Sequence, residues 1–382
     1  MPVKKSTARN NRKRSAKKRG TSRRHPGPLT NLSIEGFRGI SQLDIDGLAP
    51  LTVFTGDNGA GKTTVLEVAF AVCGRTTPAW ILTLQAQRGL GAFSKEGPSY
   101  LGLFYGPSET GCAKLSAGTK NGTELRLEIE RTEAGPQTVL LEPTETADLA
   151  DLPKHASALE FRAYENGKLE NKSQLVWTFT PPDRGQLEPR GGKLGHPRAM
   201  FQHPPGGRLA QEEKARYGDA RESGRDRAVM ELVQSIDPRI DDIEYLQTTR
   251  TQYFRTKLKD GRTLPLGMLG GGVVNAFRFG INLAHVRDGF LAIDEVENGL
   301  YYRRLPMVFR ALVQAREHFG TQLMLATHSH EALSAIVEVA TERNAEQFAV
   351  VHLRRDSDDL VQATTIPGPD AKSSLDHGYD LR

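Results

Sequence analysis

The stretch Gly56-Asp57-Asn58-Gly59-Ala60-Gly61-Lys62-Thr63 carries the pattern G-x-x-x-x-G-K-[ST]. Its glycines let backbone N–H groups wrap around phosphates, and a helix that follows would point its N-terminus at them. In this pattern the lysine reaches the outer phosphates, and the threonine hydroxyl can ligate Mg²⁺. An apolar run with Leu51, Val53 and Phe54 precedes the stretch, and a helical pattern follows it. The sequence therefore predicts a phosphate-binding loop between a strand and a helix.

A second group of candidate residues follows two other apolar runs. Asp294 and Glu295 come directly after residues 290–293, and His328 follows residues 323–326. A carboxylate at a strand end can hold Mg²⁺ directly or through water, and a second one can orient an attacking water. Ligands bind outside the carboxyl ends of strands in open α/β sheets. Alone these residues would be surface acids and a structural histidine; beside the phosphate loop they indicate a reaction site.

The elements that must position these residues predict an α/β fold with a mixed sheet. After residue 269 strands and helices alternate, which is typical of a parallel sheet with crossover helices. Residues 74–180 indicate an antiparallel β lobe, and the Pro- and Gly-rich residues 181–207 indicate a long loop. We expect four parts, namely a basic tail (1–28), an N-terminal lobe with the phosphate loop and the antiparallel β region (29–180), a Pro/Gly-rich loop with a helical and β insertion (181–262), and a C-terminal lobe (263–382).

Composition excludes several classes of protein. The chain has 382 residues, and no apolar stretch reaches the length of about 18 residues that a membrane helix needs. The basic N-terminus is followed by no apolar segment, which excludes a secretory signal. Two cysteines exclude a disulfide scaffold and a four-cysteine zinc site. We therefore expect a cytoplasmic protein without a membrane partner.

The positive charge of the chain is concentrated in its first residues. The formal net charge is +5, but residues 1–28 hold eleven Lys and Arg and no Asp or Glu. The rest of the chain therefore carries more acidic than basic side chains. Such a tail has little to bury and is expected to be disordered. It is either a solvated tail or a segment that attracts the phosphate backbone of nucleic acid.

Four segments together resemble the ABC-type ATPases of the SMC/RecF/OLD branch. The resemblance is greatest to compact prokaryotic OLD-like ATPases of the AAA family. It implies a P-loop NTPase head with a mixed sheet core. Roughly residues 29–75 and 262–340 carry it, in the segments NLSIEGFRGI (31–40), GDNGAGKT (56–63), DEVENGL (294–300) and ATHS (326–329).

The resemblance implies that the chain binds ATP and Mg²⁺. Lys62 and Thr63 would bind phosphate and Mg²⁺, together with the rest of the phosphate loop and the adjacent Thr64. Asp294 would support the Mg²⁺, and Arg38 of the F-R-G turn would contact the nucleotide. In this family two nucleotides are held between two subunits, so a homodimer or a higher oligomer is expected.

The resemblance also assigns catalytic roles. Glu295 would be the general base of ATP hydrolysis, with Lys62 and His328 acting on the phosphates. Asn298, three residues after the general base, would lie at the seam between the two subunits. The reaction would convert ATP and water to ADP and phosphate.

Two features depart from the family pattern or are weakly marked. The signature turn, which usually contains Ser or Asp, is here Leu269-Gly270-Gly271-Gly272. Its backbone N–H groups could still cap a γ-phosphate, but without a hydroxyl we expect slow or partner-stimulated turnover. Gln202 is the candidate for a glutamine near Mg²⁺ and the γ-phosphate, with a plain loop glutamine as the alternative. His196 and His203 lack Cys or His partners at metal-ligand spacing.

For biological role, the resemblance favours an ATPase that controls a separate nuclease or toxin. Such ATPases act in prokaryotic anti-phage systems of the Septu and PARIS types. The alternative is a RecF-like DNA-binding ATPase of DNA repair or recombination. In a third interpretation the basic tail anchors the protein to nucleic acid while the core regulates a partner enzyme.

Overall fold

The structure is a computed structural model of the chain. It describes residues 27–74, 80, 81, 84, 102–106, 111–133, 155–180, 184–191, 198–203, 211–247, 252–378 and 381. The basic tail expected over residues 1–28 lies outside the described residues, except for its last two. Its binding to nucleic acid therefore stays a prediction, as does the expected division of the chain into four parts.

The strands form three sheets. In chain order they are β1 (Asn31–Phe37), β2 (Ile40–Asp46), β3 (Leu51–Thr55), β4 (Cys112–Gly118), β5 (Glu124–Glu133), β6 (His155–Glu165), β7 (Lys168–Thr180), β8 (Arg184–Gly191), β9 (Ala199–Gln202), β10 (Ile240–Gln247), β11 (Gln252–Leu258), β12 (Thr263–Pro265), β13 (Phe290–Ile293), β14 (Gln322–Ala326), β15 (Phe348–Arg355) and β16 (Val361–Pro367).

Helices connect and cover these strands. Those bounded within the described residues are α1 (Lys62–Gly74), α2 (Gln211–Glu222), α3 (Asp226–Ile236), α4 (Gly271–His285), α5 (Leu305–Phe319), α6 (His330–Asn344) and α7 (Gly368–Asp376). In that part of the chain, no helix combines the length and the apolar character needed to cross a membrane.

A six-stranded sheet in the order β16-β15-β3-β14-β13-β9 is the frame of the fold. Its neighbouring strands are parallel except for β15 and β16, which are antiparallel. The strands β3, β13 and β14 are buried along their whole length, so their sequences are mostly apolar runs instead of alternating patterns. Because these strands are parallel, their carboxyl ends meet at one edge of the sheet, where the predicted site residues follow them.

Helix α1 lies between this sheet and an antiparallel sheet in the order β2-β1-β4-β5-β6-β7-β8. In β5, buried Leu125, Leu127 and Ile129 alternate with exposed or half-buried residues, so one face of the antiparallel sheet is apolar. These residues share a buried core with Val65 of α1 and Phe290 of β13. A helix covered from both sides needs apolar residues around its whole circumference, as α1 has.

The opposite face of the parallel sheet is covered by α4, α5 and α6. Phe277, Phe309 and Leu333 of these helices lie in one buried core with Leu291 and Leu325 of the sheet. The small antiparallel sheet β10-β11-β12 adds to this side of the molecule. The mixed α/β fold, with an antiparallel β lobe and alternating strands and helices after residue 269, is confirmed.

The long loop predicted over residues 181–207 is wrong for two segments. Residues 184–191 form β8 at the edge of the antiparallel sheet, and residues 199–202 form β9, which runs parallel to β13. Four residues between proline-containing segments give no readable period, so the Pro and Gly composition concealed β9. Because β9 ends beside the candidate site, its position in the sheet is important for function.

Candidate active site

The phosphate loop joins the buried strand β3 to the amino end of α1. Gly56, Gly59 and Gly61 have φ values of 128°, 83° and 100°, in a region that glycine adopts without a steric cost. A Cβ atom at Gly56 would also lie 2.0 Å from the carbonyl oxygen of Leu353 in β15. The loop therefore takes its shape from its glycines and from close contact with β15.

Lys62 begins α1 and is half-buried. Its Nζ donates hydrogen bonds to the carbonyl oxygens of Gly56 at 2.6 Å and Asp57 at 3.0 Å. Burial lowers the pKa of Lys62, while Asp294 and neighbouring carboxylates act in the opposite direction. The ammonium is thus held over the loop at which an outer phosphate would be bound.

Thr63 and Asp294 join the phosphate loop to the end of β13. The Thr63 hydroxyl donates a hydrogen bond of 2.7 Å to Asp294 Oδ2, and Asp294 is only 7% exposed. Within the described part of the chain, no group of three or more His, Cys, Asp or Glu side chains could hold a metal ion. Mg²⁺, however, is commonly held by one or two protein oxygens, with phosphates and water completing its octahedron. The hydroxyl and carboxylate fit that requirement.

Glu295 lies next to this pair and is exposed. Its φ of 46° is unusual for a residue with a Cβ, and such backbone strain concentrates at functional sites. The Asn298 side chain donates a hydrogen bond of 3.3 Å to Glu295 Oε2. The turn after β13 thereby directs a solvent-accessible carboxylate to the mouth of the site.

His328 follows β14 and is 55% exposed. Its backbone N–H donates to Glu297 Oε1 at 3.3 Å, and its Nδ1 lies 3.4 Å from the same oxygen. The turns after β13 and β14 are therefore linked through one carboxylate. The sequence motif contains Glu297, but only the fold shows that it orients the histidine.

These residues line one open cavity of about 830 Å³ at the carboxyl ends of the parallel strands. Arg38, on the turn between β1 and β2, also lines it, and Glu67 of α1 pairs with Arg38 Nε at 2.6 Å. Predicted site residues from four separate stretches are thus brought together. The lining residues among them are Arg38, Asn58, Gly59, Gly61, Lys62, Thr63, Thr64, Asp294, Glu295 and His328.

The structure corrects the expectation for Gln202. Its side chain is buried, and its Oε1 accepts a hydrogen bond of 2.8 Å from Asn282 instead of lining the cavity. The next residue, His203, lines the cavity, and its Nδ1 lies 3.8 Å from Asp294 Oδ2. Side chains alternate along β9, so the residue after its last buried position faces the site.

The glycines of the signature turn lie apart from the phosphate cavity. Gly270, with a φ of 95°, precedes α4, and a Cβ at Gly272 would lie 2.9 Å from the carbonyl oxygen of Gly299. Asn275 Nδ2 also donates a hydrogen bond of 2.6 Å to the Asn298 carbonyl oxygen. The amino end of α4 is therefore packed on the turn after Glu295, and none of the three glycines lines the cavity that the described residues form.

The chain is similar in sequence to a family of AAA domains and to a bacterial protein. A family described as "AAA domain, putative AbiEii toxin, Type IV TA system" matches residues 51–334. A Helicobacter pylori protein named "ATP/GTP phosphatase" is 20% identical over 365 residues, which cover 88% of this chain and 95% of that protein.

Similar solved structures are head domains of SMC proteins. The SMC head domain from Thermotoga maritima has 14% identity and a TM-score of 0.44, with 89% of this chain and 99% of that chain covered. The Smc head domain with an extended coiled coil, bound to the C-terminal domain of ScpA derived from Pyrococcus furiosus, has 9% identity and a TM-score of 0.48. The structural match includes 92% of this chain and 99% of that chain.

The family match includes the phosphate loop, the turn after β13 and His328, and it extends over well over half of the chain. These are the elements that form the cavity. The chain belongs to the family described as "AAA domain, putative AbiEii toxin, Type IV TA system", and it is a P-loop ATPase.

Proposed function

We propose that this ATPase is a nucleotide-controlled switch that binds ATP with Mg²⁺, dimerises around it and controls a separate effector protein. The observation that carries the proposal is the contact between the Thr63 hydroxyl and the Asp294 carboxylate at the entrance of α1. In this proposal the pair holds Mg²⁺ between the phosphate loop and Glu295. Binding, hydrolysis and the response of a partner can then be coupled at one place.

Nucleotide binding rests on the phosphate loop from Gly56 to Thr63, with the adjacent Thr64. The backbone N–H groups of the loop and of the first turn of α1 would bind phosphates, aided by Lys62. Thr63 and Asp294 would hold Mg²⁺, which neutralises charge on the outer phosphates when it is bound. Arg38, held by its ion pair with Glu67, would contact the nucleotide.

Hydrolysis rests on the exposed Glu295, which would accept a proton from the attacking water. A positioned general base typically contributes about 10²–10⁴-fold to a rate. His328 and His203 lie on either side of this turn and line the same cavity. His328 would donate a hydrogen bond to a phosphate oxygen, and His203 would orient the water or the Asp294 carboxylate.

The second subunit would complete the site. The signature glycines 270–272 do not line the cavity that the described residues of their own chain form, yet they form the amino end of α4. Backbone N–H groups at a helix N-terminus favour a negatively charged ligand. In a dimer, the α4 end of one subunit would face the γ-phosphate held by the phosphate loop of its partner. Asn298, beside these glycines, would lie at the seam.

The effector in this proposal is a separate nuclease or toxin, in an anti-phage or related system. The description of the family includes a toxin and a type IV toxin–antitoxin system, which supports a place in such systems. An ATP-bound dimer would hold the effector in one state, and hydrolysis would release it.

The test is affinity purification of the full chain carrying Glu295→Gln from its native host in Mg-ATP, followed by mass spectrometry. The expected result is that one nuclease or toxin co-purifies in a fixed ratio to the ATPase. The matched control is Lys62→Ala, which should not bind nucleotide and should lose the co-purifying protein. Recovery of recombination proteins or DNA, without an effector, would contradict the proposal and favour the RecF-like alternative.

A further inference from the structure

The end of β15 forms one wall of the nucleotide cavity. The carbonyl of Leu353 excludes any side chain at Gly56, and Arg355, two residues later, lines the cavity itself. Val361, paired with Arg355 across the β15–β16 hairpin, is buried beside Gly61. The hairpin thus contacts both the first and the last glycine of the phosphate loop.

The Arg355 guanidinium joins three separate segments of the chain. Its Nε donates to the carbonyl oxygen of Gly59 at 3.2 Å, and its Nη2 donates to the carbonyl oxygen of Gly39 at 2.9 Å. Its Nη1 donates to the backbone oxygen of Asp359 at 3.1 Å and to the Asp359 carboxylate at 2.7 Å. Gly39 is adjacent to Arg38, so one side chain connects the phosphate loop, the F-R-G turn and the hairpin.

We propose that Arg355 is a positioning residue for nucleotide binding, which fixes the phosphate loop against the turn that carries Arg38. The inference rests on the proposed nucleotide site. The planar guanidinium can donate hydrogen bonds in three directions at once. A lysine ammonium at the end of a flexible chain cannot make the same set of hydrogen bonds.

The carbonyl contacts contribute more than the ion pair. Arg355 is only 26% exposed, but the Asp359 side chain is 63% exposed, and exposed ion pairs contribute little. Hydrogen bonds with a charged donor are stronger than those between neutral groups, and the carbonyls of Gly39 and Gly59 lie 316 and 296 positions from Arg355, whereas Asp359 belongs to the same hairpin. Without these hydrogen bonds the phosphate loop would be more mobile. A preorganised loop binds its ligand more tightly than a mobile one, because less conformational entropy is lost on binding.

The experiment measures the Kd for ATP and the steady-state KM and kcat of the full chain with Arg355→Ala, Arg355→Lys and Asp359→Asn. The alanine and lysine variants should both weaken ATP binding by about tenfold or more, with kcat at saturating ATP retained. Asp359→Asn should change the Kd by about threefold or less. Arg354→Ala, on the same strand and exposed, is the matched control and should bind ATP like the wild type.

A purely structural role would lower the melting temperature without separating KM from kcat. Wild-type affinity in both Arg355 variants would overturn the inference, and so would an equal loss with Arg354→Ala. If the alanine variant does not fold, the lysine variant gives the same test. Failure of the wild type itself to bind ATP would instead refute the proposed nucleotide site, so the two failures are distinguishable.

Discussion

The Thr63 hydroxyl donates a hydrogen bond of 2.7 Å to Asp294 Oδ2, although the two residues are 231 positions apart in the chain. Thr63 lies in the first turn of α1, and Asp294 follows β13. The parallel arrangement of β3, β14 and β13 brings them to the same edge of the sheet. This contact joins the phosphate loop to the turn that carries Glu295.

Replacement of Thr63 should separate the role of its hydroxyl from that of its size. Thr63→Ala removes the donor to Asp294 and one oxygen proposed for Mg²⁺, so hydrolysis should fall by about 10²-fold or more. Thr63→Ser keeps the hydroxyl and should retain most activity. The measurement is phosphate release as a function of Mg²⁺ concentration. Equal loss in both variants would show that packing, and not the hydroxyl, is important.

His203 and Gln202 provide a matched pair of neighbouring residues. His203→Ala removes a side chain from the cavity and should lower the hydrolysis rate by about tenfold or more. Gln202→Ala removes only the acceptor of the Asn282 hydrogen bond, at a cost of about 1 kcal/mol in the free energy of unfolding. Steady-state ATPase rates and urea unfolding check both. The reverse pattern would restore Gln202 as the site residue.

Substitution of Gly56 should reduce stability more than substitution of another glycine with a positive φ. Gly56→Ala would bring a Cβ to 2.0 Å from the Leu353 carbonyl oxygen, whereas Gly122, with a φ of 76°, has open space around it. Gly122→Ala should cost about 1–2 kcal/mol through its backbone conformation alone. Gly56→Ala should cost more in urea unfolding and should also abolish ATP binding. Similar losses in the two variants would contradict the close contact.

The signature glycines should be required for dimerisation but not for binding of ATP to one chain. Gly271→Glu places a negative charge at the amino end of α4, where it would repel the γ-phosphate on the second subunit. Light scattering of this variant in Mg-ATP should show a monomer that still binds ATP.

Gly271→Ser is the control for that experiment. It supplies a hydroxyl at the turn, and dimerisation should be retained. An ATP-dependent dimer of the Gly271→Glu variant would contradict the proposed seam.

The sequence alone predicts the positions of those candidate residues that lie in continuous motifs. The phosphate loop, Asp294, Glu295 and His328 were all predicted, because each follows an apolar strand and each has a distinctive residue type. Only the folded structure shows that these residues share one cavity with Arg38. The alternation of strands and helices nevertheless predicts that the ends of their parallel strands lie at one edge of the sheet.

His203 and Arg355 could not be predicted as site residues from the sequence. His203 follows a strand too short to show an alternating pattern, and Arg355 contacts residues that are distant in the chain. The four residues of β9 between proline-containing segments resemble a loop in sequence, so the sequence does not show that His203, and not Gln202, faces the cavity. Arg355 ends β15, and its partners Gly59 and Gly39 lie 296 and 316 positions away, so no local pattern encodes these contacts. Contacts of this kind appear only when the chain is folded.

The most direct test of the active site is single-turnover ATP hydrolysis by the wild type and Glu295→Gln, with nucleotide binding measured on the same samples. Glutamine keeps the size of the side chain and its contact with Asn298 but cannot accept a proton. We predict ATP binding equal to that of the wild type and hydrolysis slower by about 10²–10⁴-fold. Equal hydrolysis rates in the two proteins would show that Glu295 is not the base and that the chemistry lies elsewhere.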